Sequence, residues 1–273
     1  MRGGSRLTHF EDDFELSGFG QALGRRRDGT VALGTVGVDL GVDLVGVPTI
    51  QRLAALGTVV PRLDVQVCDD RGRGLECFAS IRLDDAVFVK STLATQDTGA
   101  SQSATSVGLQ IDFRRVTWSW ATTRPDGSLN APLSRGWDRL TGALGAGSPA
   151  AITFVTRALP TEANVSSFAM GTVSSTGVRG FTVSRQADER TPLHLVDYGS
   201  QRVFSSVTIT DYAATGSGRR LVASYTLANA VLTHVSWAGS QETLVFDAAN
   251  VTMSVPRYDA AGTVLSTETT TFP

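Results

Sequence analysis

The sequence predicts a mainly β protein that consists of two tandem β-barrel or β-sandwich domains, each with one short α-helix. First, three segments alternate apolar with polar residues, as strands with one buried face do: "RLDVQVCD", "LECFASIRL" and "SVGLQIDFRRVTWSW". Second, 28 glycines accompany many Val, Thr and Ser residues, which is typical of short strands joined by tight turns. Third, the second half of the chain repeats the pattern of the first half.

Length and composition set the limits of this prediction. A chain of 273 residues suits two domains of about 130 residues each better than one domain. The net charge of −2 gives no reason to expect a nucleic-acid partner or an anionic membrane partner. The most apolar stretch, "VALGTVGVDLGVDLVGV", contains Asp39 and Asp43 and does not look like a membrane span. The N-terminus shows no apolar signal region, so we expect a protein that is cytoplasmic before any assembly.

Each half has one predicted helix, and each of these helices starts with a proline. Pro48 opens "PTIQRLAALG" and Pro192 opens "PLHLVDYG". Proline is tolerated in a first helical turn because its missing N–H would be unpaired there in any case. We therefore expect helices near Pro48–Leu56 and Pro192–Tyr198.

The strands that follow align without a gap at a shift of 144 residues, since "LDVQV" begins at Leu63 and "VTITD" begins at Val207 (207 − 63 = 144). Farther along, Asp112 aligns with Asp247 at a shift of 135 (247 − 112 = 135). The nine-residue difference falls in "TLATQDTGASQSATS", which we expect to be a long, mobile polar loop. Both halves then continue with Val-Thr-x-Ser and an Asp/Gly turn.

We interpret this pattern as a tandem duplication. The first domain is predicted at residues 1–134 and the second at residues 152–273. Between them, residues 135–151 read "RGWDRLTGALGAGSPAA", which is rich in glycine and small residues, and we interpret this segment as the linker.

The end of the first copy resembles a known family. The stretch "LQIDFRRVTWSWATTRPDGSLNAPLSRGWD" is similar to the C-terminal signature of the Hcp family, the hemolysin-coregulated tube proteins of type VI secretion. The matching residues are Phe113, Val116, Trp118, Trp120, Asp126, Gly127, Ser128, Gly136, Trp137 and Asp138. The second copy resembles the family through "FTVSRQADERTPLHLVDYG" and "LANAVLTHVSW", but Met253 and Val255 replace the two tryptophans.

The resemblance implies two tandem Hcp-like domains and a structural role. Domains of this family assemble six to a ring, and the rings stack into a hollow tube. Three tandem chains would then complete a pseudo-hexameric ring, which is a trimer of chains. Its implied partners are further copies of the ring stacked on it, the sheath and spike proteins of the injection machine, and cargo in the lumen. The resemblance also implies export through the injection apparatus. It does not separate type VI secretion from an extracellular injection system or a phage tail.

Two other functions stay open at this stage. The first is a trimeric hub or adaptor at the end of such a tube, because hub proteins also carry two tube-like domains in one chain. The second is a ligand-binding β-sandwich module. A hydrolase is disfavoured because His9, His194 and His234 are scattered and no catalytic, cofactor-binding or metal-binding motif occurs. We therefore expect no enzyme activity and no cofactor.

Two sets of residues are candidates for assembly contacts. The resemblance places Arg25, Arg26 and Arg27 in the loop that reaches the neighbouring ring of the tube, and Arg179 in the equivalent loop of the second copy. The alternative for the three consecutive arginines is a solvated loop that makes no contact. Trp118 and Trp120 share one face of an alternating strand, which indicates core or interface packing.

The two cysteines, Cys68 and Cys77, flank a probable hairpin turn, "DDRGRGLE". A symmetric hairpin would place them opposite each other, where a disulfide is sterically conceivable. A reducing cytoplasm favours two free thiols, and that is the prediction from the sequence.

Overall fold

The computed structural model describes residues 16–25, 31–40, 47–70, 75–97, 103–124, 126–156, 164–216 and 218–273. The chain divides into two compact units: unit 1 comprises Met1–Ala22 and Leu33–Leu144, and unit 2 comprises Leu23–Ala32 and Gly145–Pro273. The described residues are mostly in strands, and each unit has one helix, so the expected fold class is confirmed. The domain boundaries drawn from the sequence stay a prediction.

The elements are numbered in chain order. The first half contains β1 (Leu16–Arg25), β2 (Val31–Leu40), α1 (Val47–Leu56), β3 (Val60–Asp70), β4 (Leu75–Asp97), β5 (Ser103–Asp112), β6 (Arg115–Trp120), β7 (Leu133–Asp138) and β8 (Gly142–Leu144). The second half contains β9 (Ala151–Thr156), β10 (Asn164–Ala169), β11 (Thr172–Ser174), β12 (Gly177–Gln186), α2 (Thr191–Gly199), β13 (Val203–Thr215), β14 (Gly218–Ala238), β15 (Gln241–Ala248), β16 (Asn250–Tyr258) and β17 (Val264–Phe272).

Six strands of unit 2 close into a β-barrel. β12 pairs with β15, β15 with β14 and β14 with β13, all antiparallel. β9 lies parallel to both β13 and β10, and β10 returns to β12, which completes the circuit. A closed barrel leaves none of these six strands with an open edge along the paired length.

The barrel interior follows from strand alternation. In β12, Phe181, Val183 and Arg185 are fully buried, and the residues between them are only partly buried. Leu244 and Phe246 of β15 are likewise buried at every second position. Because the side chains of a strand alternate between its two faces, this parity places one face of each strand in the core.

Unit 1 repeats the strand pairing of unit 2 in register. Leu63 of β3 lies opposite Leu83 of β4, and Val207 of β13 lies opposite Leu227 of β14. The pairs β4–β5, β4–β6 and β6–β7 have the counterparts β14–β15, β14–β16 and β16–β17. For β3 and β4, the shift of 144 residues read from the sequence is also the shift between equivalent paired positions. For β6 and β7 the shift is 135, since Val116 opposite Trp137 corresponds to Val251 opposite Phe272 (251 − 116 = 135; 272 − 137 = 135).

Irregular backbone positions recur at the same shift. β3 is irregular between Val67 and Cys68, and β13 is irregular at the equivalent step. Asp85 and Asn229 are two of the three described non-glycine residues with positive φ, at 52° and 49°. Left-handed backbone is unfavourable for residues with a Cβ, and Asp and Asn tolerate it best. Shared positions of this kind are a stronger sign of duplication than the strand order alone.

The two helices match the expected positions, but their surroundings differ. α1 and α2 each have a proline next to their first residue, as expected. In α1, Pro48 and Arg52 are exposed, whereas the equivalent Pro192 and Val196 of α2 are buried. No helix of the described residues combines the length and apolar content that crossing a membrane requires.

The prediction of a long polar loop at residues 92–106 is wrong for most of that range, because most of these residues lie in strands. β4 continues to Asp97, β5 begins at Ser103, and the two strands pair from Leu93 opposite Val107 outwards. The extra nine residues of the first half therefore lengthen a hairpin, whose turn lies outside the described residues. Residues 135–151, interpreted as the linker, include most of β7, all of β8 and the first residue of β9.

The prediction of two free thiols is also wrong, because Cys68 and Cys77 form a disulfide. The register of β3 and β4 places the two residues directly opposite each other. The hairpin thus has the symmetric form that the sequence had left open.

Candidate functional site: assembly residues and a buried charge cluster

The candidate stacking arginines fall in different parts of the structure. Arg25 is the last residue of β1, and its side chain is not described. Arg26 and Arg27 lie outside the described residues. Arg179 lies in β12 with its side chain 65% exposed, and its Nη1 donates to Oδ2 of Asp247 over 2.8 Å. The structure therefore places Arg179 in an exposed ion pair and leaves the role of all four arginines in stacking a prediction.

The two signature tryptophans both pack within unit 1. Trp118 is completely buried, and its Nε1 donates a hydrogen bond of 2.7 Å to Oε1 of Gln21. The ring of Trp120 is partly buried and meets Phe78 edge-on, with 5.3 Å between ring centroids. Trp118 and Trp120 therefore both contact residues of unit 1, and their place in a family signature stays a prediction.

The signature turn is held by the Asp126 side chain. Its Oδ1 accepts hydrogen bonds from the backbone N–H of Ser128 over 2.9 Å and from the Ser128 hydroxyl over 2.7 Å. These two bonds lower the pKa of Asp126 below its usual value. Gly127 adopts a φ of 84°, which favours glycine because it has no Cβ. The turn therefore depends on the residue types at Asp126, Gly127 and Ser128.

The last three signature residues, Gly136, Trp137 and Asp138, lie in β7. Trp137 is partly buried and lies opposite Val116 of β6. Asp138 is fully buried, and its Oδ1 accepts a hydrogen bond of 2.8 Å from the N–H of Leu140. That hydrogen bond and the nearby Arg115 guanidinium lower the pKa of Asp138. These residues fix the end of β7 and do not form an accessible site.

A cluster of buried charges in unit 2 was not anticipated. Arg185 of β12 and Glu242 of β15 are both fully buried, and the Arg185 Nη1 donates to Oε2 of Glu242 over 2.6 Å. His194 of α2 is 2% exposed, and its Nδ1 lies 3.2 Å from each carboxylate oxygen of Glu242. We name these three residues the buried triad.

Two residues extend the buried triad towards the surface. Asp188 forms an ion pair with Nη2 of Arg185, and its side chain is 26% exposed. Arg190 binds the same carboxylate through Nη1 over 3.3 Å. The Arg185 side chain is therefore held from two sides, by Glu242 inside and by Asp188 near the surface.

The pKa directions in the buried triad follow from competing effects. Burial opposes the charge of Glu242, but the charge of His194, the hydrogen bond from His194 and the charge of Arg185 together lower its pKa. Burial likewise opposes the charge of Arg185, and the charges of Glu242 and Asp188 outweigh it and raise its pKa. Glu242 and Arg185 are therefore both charged at neutral pH.

A second buried carboxylate of unit 2 lies on α2, the helix that carries His194. Asp197 is fully buried and accepts hydrogen bonds of 3.0 and 3.1 Å from the backbone N–H of Ser148. Gly147 passes so close that a Cβ built there would lie 1.9 Å from the Asp197 carboxylate. Burial raises the pKa of Asp197, although the Ser148 N–H, His194 and Arg202 act in the opposite direction. The carboxylate thus fastens the segment before β9 to α2.

Unit 1 has an apolar counterpart of the buried triad. Leu40 lies opposite Val107 between β2 and β5, as Arg185 lies opposite Glu242 between β12 and β15. Ile50 lies on α1 at the position equivalent to His194, since 194 − 50 = 144. Leu40, Ile50 and Val107 are each at most 3% exposed. The same three core positions therefore hold an apolar set in unit 1 and an ionic set in unit 2.

The chemistry that the buried triad supports is limited. A buried His–Glu pair can hold and move a proton, but catalysis also needs substrate access, and all three residues are at most 2% exposed. Within the described ranges, no group of three or more His, Cys, Asp and Glu residues could hold a metal ion. The triad is therefore best explained as part of the unit 2 core. The sequence does contain a sign of the triad. Arg185 and Glu242 both stand at positions of β12 and β15 where the alternation of apolar and polar residues predicts an inward side chain.

A shallow cavity of about 450 Å³ lies at another place on unit 2. Its lining includes Phe168 of β10 and Asp211 of β13. Oδ1 of Asp211 accepts a hydrogen bond of 2.6 Å from the Thr156 hydroxyl, so this carboxylate already has a partner. The cavity is the feature that the ligand-binding alternative would use.

Comparisons with known proteins give the following matches. No protein-family model and no curated protein matches the chain. A solved type six secretion system protein matches at 16% identity and a TM-score of 0.46, over 52% of this chain and 91% of that one. Hcp1 from Salmonella typhimurium matches at 13% identity and a TM-score of 0.42, over 52% of this chain and 92% of its own. A type VI secretion system effector from Yersinia pestis matches at 9% identity and a TM-score of 0.40, over 50% of this chain and 93% of that one.

Each of these matches covers about half of the chain and nearly the whole of the other protein.

Proposed function

We propose that the chain is a structural subunit of the inner tube of a contractile injection system. Three chains form a pseudo-hexameric ring, and rings stack into a hollow tube that delivers cargo or a spike. The subunit is cytoplasmic before assembly and leaves the cell through the injection apparatus. It catalyses no reaction and needs no cofactor.

The observation that carries the proposal is the internal equivalence of the two units. The registers of β3–β4 and β13–β14 and the left-handed residues Asp85 and Asn229 coincide at one shift of 144 residues. A ring of six similar domains can therefore be built from three chains. The Hcp-like signature of unit 1, centred on Trp118 and the Asp126 turn, supports a ring of the Hcp type.

The same reasoning predicts how the units alternate. Each chain brings two similar but unequal domains, so alternation lets a first domain meet a second domain at every junction of the ring. Closed rings also solve the problem of exposed sheet edges, which otherwise pair with the wrong partners. We expect each junction between chains to bury more than about 1,000 Å², the area typical of a specific interface.

Stacking is expected to depend on charge. Arg25, Arg26 and Arg27 would face acidic residues of the next ring, with Arg179 as the weaker equivalent in the second copy. Such contacts are exposed and are screened by salt, so they set tube length more than ring stability.

The first experiment measures the assembly state of the purified chain by mass photometry and electron microscopy. Trimeric rings that elongate into tubes would support the proposal. A trimer that never elongates would favour the hub or adaptor at the tube end. A monomer at micromolar concentration would favour the ligand-binding module, and a ring of six whole chains would contradict the pseudo-hexamer.

The second experiment reverses the candidate stacking charges. Replacing Arg25, Arg26 and Arg27 by glutamate should leave rings intact and shorten the tubes, more strongly at low salt, where repulsion is less screened. The control variant replaces Arg52, Arg124 and Arg257, which are exposed, by glutamate and changes the net charge equally. If both variants shorten the tubes to the same extent, the stacking role is wrong.

A further inference from the structure

The disulfide between Cys68 and Cys77 lies near the outer end of the β3–β4 hairpin. The two residues are partly buried and follow the irregular step after Val67. Beyond the bond, towards the turn, the strands continue for two more pairs, Asp69 opposite Glu76 and Asp70 opposite Leu75. The bond therefore holds together the last part of this hairpin.

The equivalent place in unit 2 is held without sulfur. Tyr212 lies opposite Leu221 at the positions of the two cysteines. The Tyr258 hydroxyl donates a hydrogen bond of 2.8 Å to the Leu221 carbonyl, and the Arg219 guanidinium lies 4.2 Å from the centre of the Tyr212 ring. Hydrogen bonding and cation–π contact thus do in unit 2 what a covalent bond does in unit 1.

Charge repulsion weakens the strand pairing at the outer end of the unit 1 hairpin, so a covalent bond has a stabilising role there. Asp69 and Glu76 carry like charges directly across the strand pair, which weakens pairing. Oε2 of Glu76 is buried and has no hydrogen-bond partner among the described residues. In unit 2 the equivalent pair is Ala213 opposite Arg220, which carries no such repulsion.

We propose that the Cys68–Cys77 disulfide is a redox-responsive fastener of unit 1. A dithiol reductant attacks one sulfur, forms a mixed disulfide and is then released as a cyclic disulfide. Two electrons and two protons pass to the protein, which gains two thiols. Reduction releases the outer end of β3–β4 and leaves the equivalent hairpin of unit 2 unchanged. The inference does not depend on the tube function.

The size of the effect follows from loop closure. A bond that closes a loop of about ten residues changes the equilibrium between the paired and open hairpin by about 100-fold. Because disulfides persist in oxidising compartments and not in the cytosol, the order of this hairpin would differ between a reducing and an oxidising compartment.

The test is hydrogen exchange of the full chain, read by mass spectrometry, before and after treatment with dithiothreitol. We expect the amides of 67–70 and 75–79 to exchange up to about 100-fold faster after reduction, while those of 211–215 and 218–223 keep their rates. The double variant Cys68→Ser/Cys77→Ser should exchange like the reduced chain and should not respond to the reductant. Glu76→Gln in the reduced chain should slow the exchange again, because it removes the like-charge pair.

Three results would overturn the inference. Thiol titration of the chain purified without reductant could show two free thiols. Reduction could leave exchange in β3 and β4 unchanged. It could also speed exchange in β13 and β14 to the same degree, which would indicate a general loss of structure.

Discussion

Removing one partner of the buried triad should destabilise unit 2 strongly. In Glu242→Val, the fully buried Arg185 loses the carboxylate that lies 2.6 Å from its Nη1. Breaking a buried ion pair by removing one partner costs about 3–5 kcal/mol, because the remaining charge stays in the core uncompensated. Asp188 near the surface offsets part of this cost, so we expect a loss of about 3 kcal/mol in the free energy of unfolding of unit 2.

Replacing the whole triad should cost far less. The variant Arg185→Leu, His194→Ile, Glu242→Val installs the residues that occupy the equivalent positions of unit 1. Exchanging a complete buried ionic set for apolar side chains is neutral or stabilising by about 1–4 kcal/mol in favourable cases. The smaller side chains leave some volume unfilled, so we expect a stability within about 2 kcal/mol of the parent chain.

The matched control is Glu268→Val. Arg257 and Glu268 form an ion pair of the same length, 2.6 Å, but both side chains are 65% exposed. The same substitution should cost less than about 1 kcal/mol there.

Native-state hydrogen exchange of the β14 and β15 amides measures unit 2 separately from unit 1. The reasoning fails if Glu242→Val costs no more than Glu268→Val, or if the triple variant is as unstable as the single one.

Three further predictions concern single residues. The raised pKa of Asp197 makes its ionisation costly in the folded state, so the parent chain should lose stability relative to Asp197→Asn as pH rises from 4 to 7. Urea unfolding measures the difference between the two, and a difference that stays constant with pH would contradict this. Asn229→Ile should lower the free energy of unfolding by about 1–2 kcal/mol, because left-handed backbone is unfavourable for a branched Cβ, whereas Asn229→Gly should not lower it. The same two substitutions at Asp85 should behave in the same way, and equal losses for Ile and Gly in thermal or urea unfolding would refute the argument. Trp118→Phe should lose about 1–3 kcal/mol, because Oε1 of Gln21 stays buried without its donor, and calorimetry showing no loss would contradict that cost.

The parts of the fold that could be predicted from the sequence are those that local patterns specify. Alternation reveals strands because side chains alternate across a sheet, and a proline before an apolar periodic segment marks a helix start. The shift between the copies was readable because equivalent strands such as Leu63–Val67 carry similar alternation. The extended β4–β5 hairpin was missed because its polar residues show no apolar face, and strand pairing there comes from the continuing backbone ladder.

The buried triad was missed for a different reason. A charged residue within an alternating strand is normally assigned to the solvent face, since burying an unpaired charge is unfavourable. Arg185 and Glu242 break that rule together, and only their pairing across β12 and β15 makes the burial tolerable. The disulfide depended likewise on a register that the sequence left open.

The contrast between the two units has a physical explanation. Left-handed residues and irregular strand steps set the direction of the chain, so a change at one of them displaces the strand that follows. Both units keep these features at equivalent positions. The core positions of Leu40, Ile50 and Val107 are coupled in another way. An ionic residue introduced at any one of them alone would be buried without a partner, which costs several kcal/mol. An apolar set and an ionic set are therefore each stable as a whole, while mixtures of the two are not, so the two units can differ at these positions only as sets.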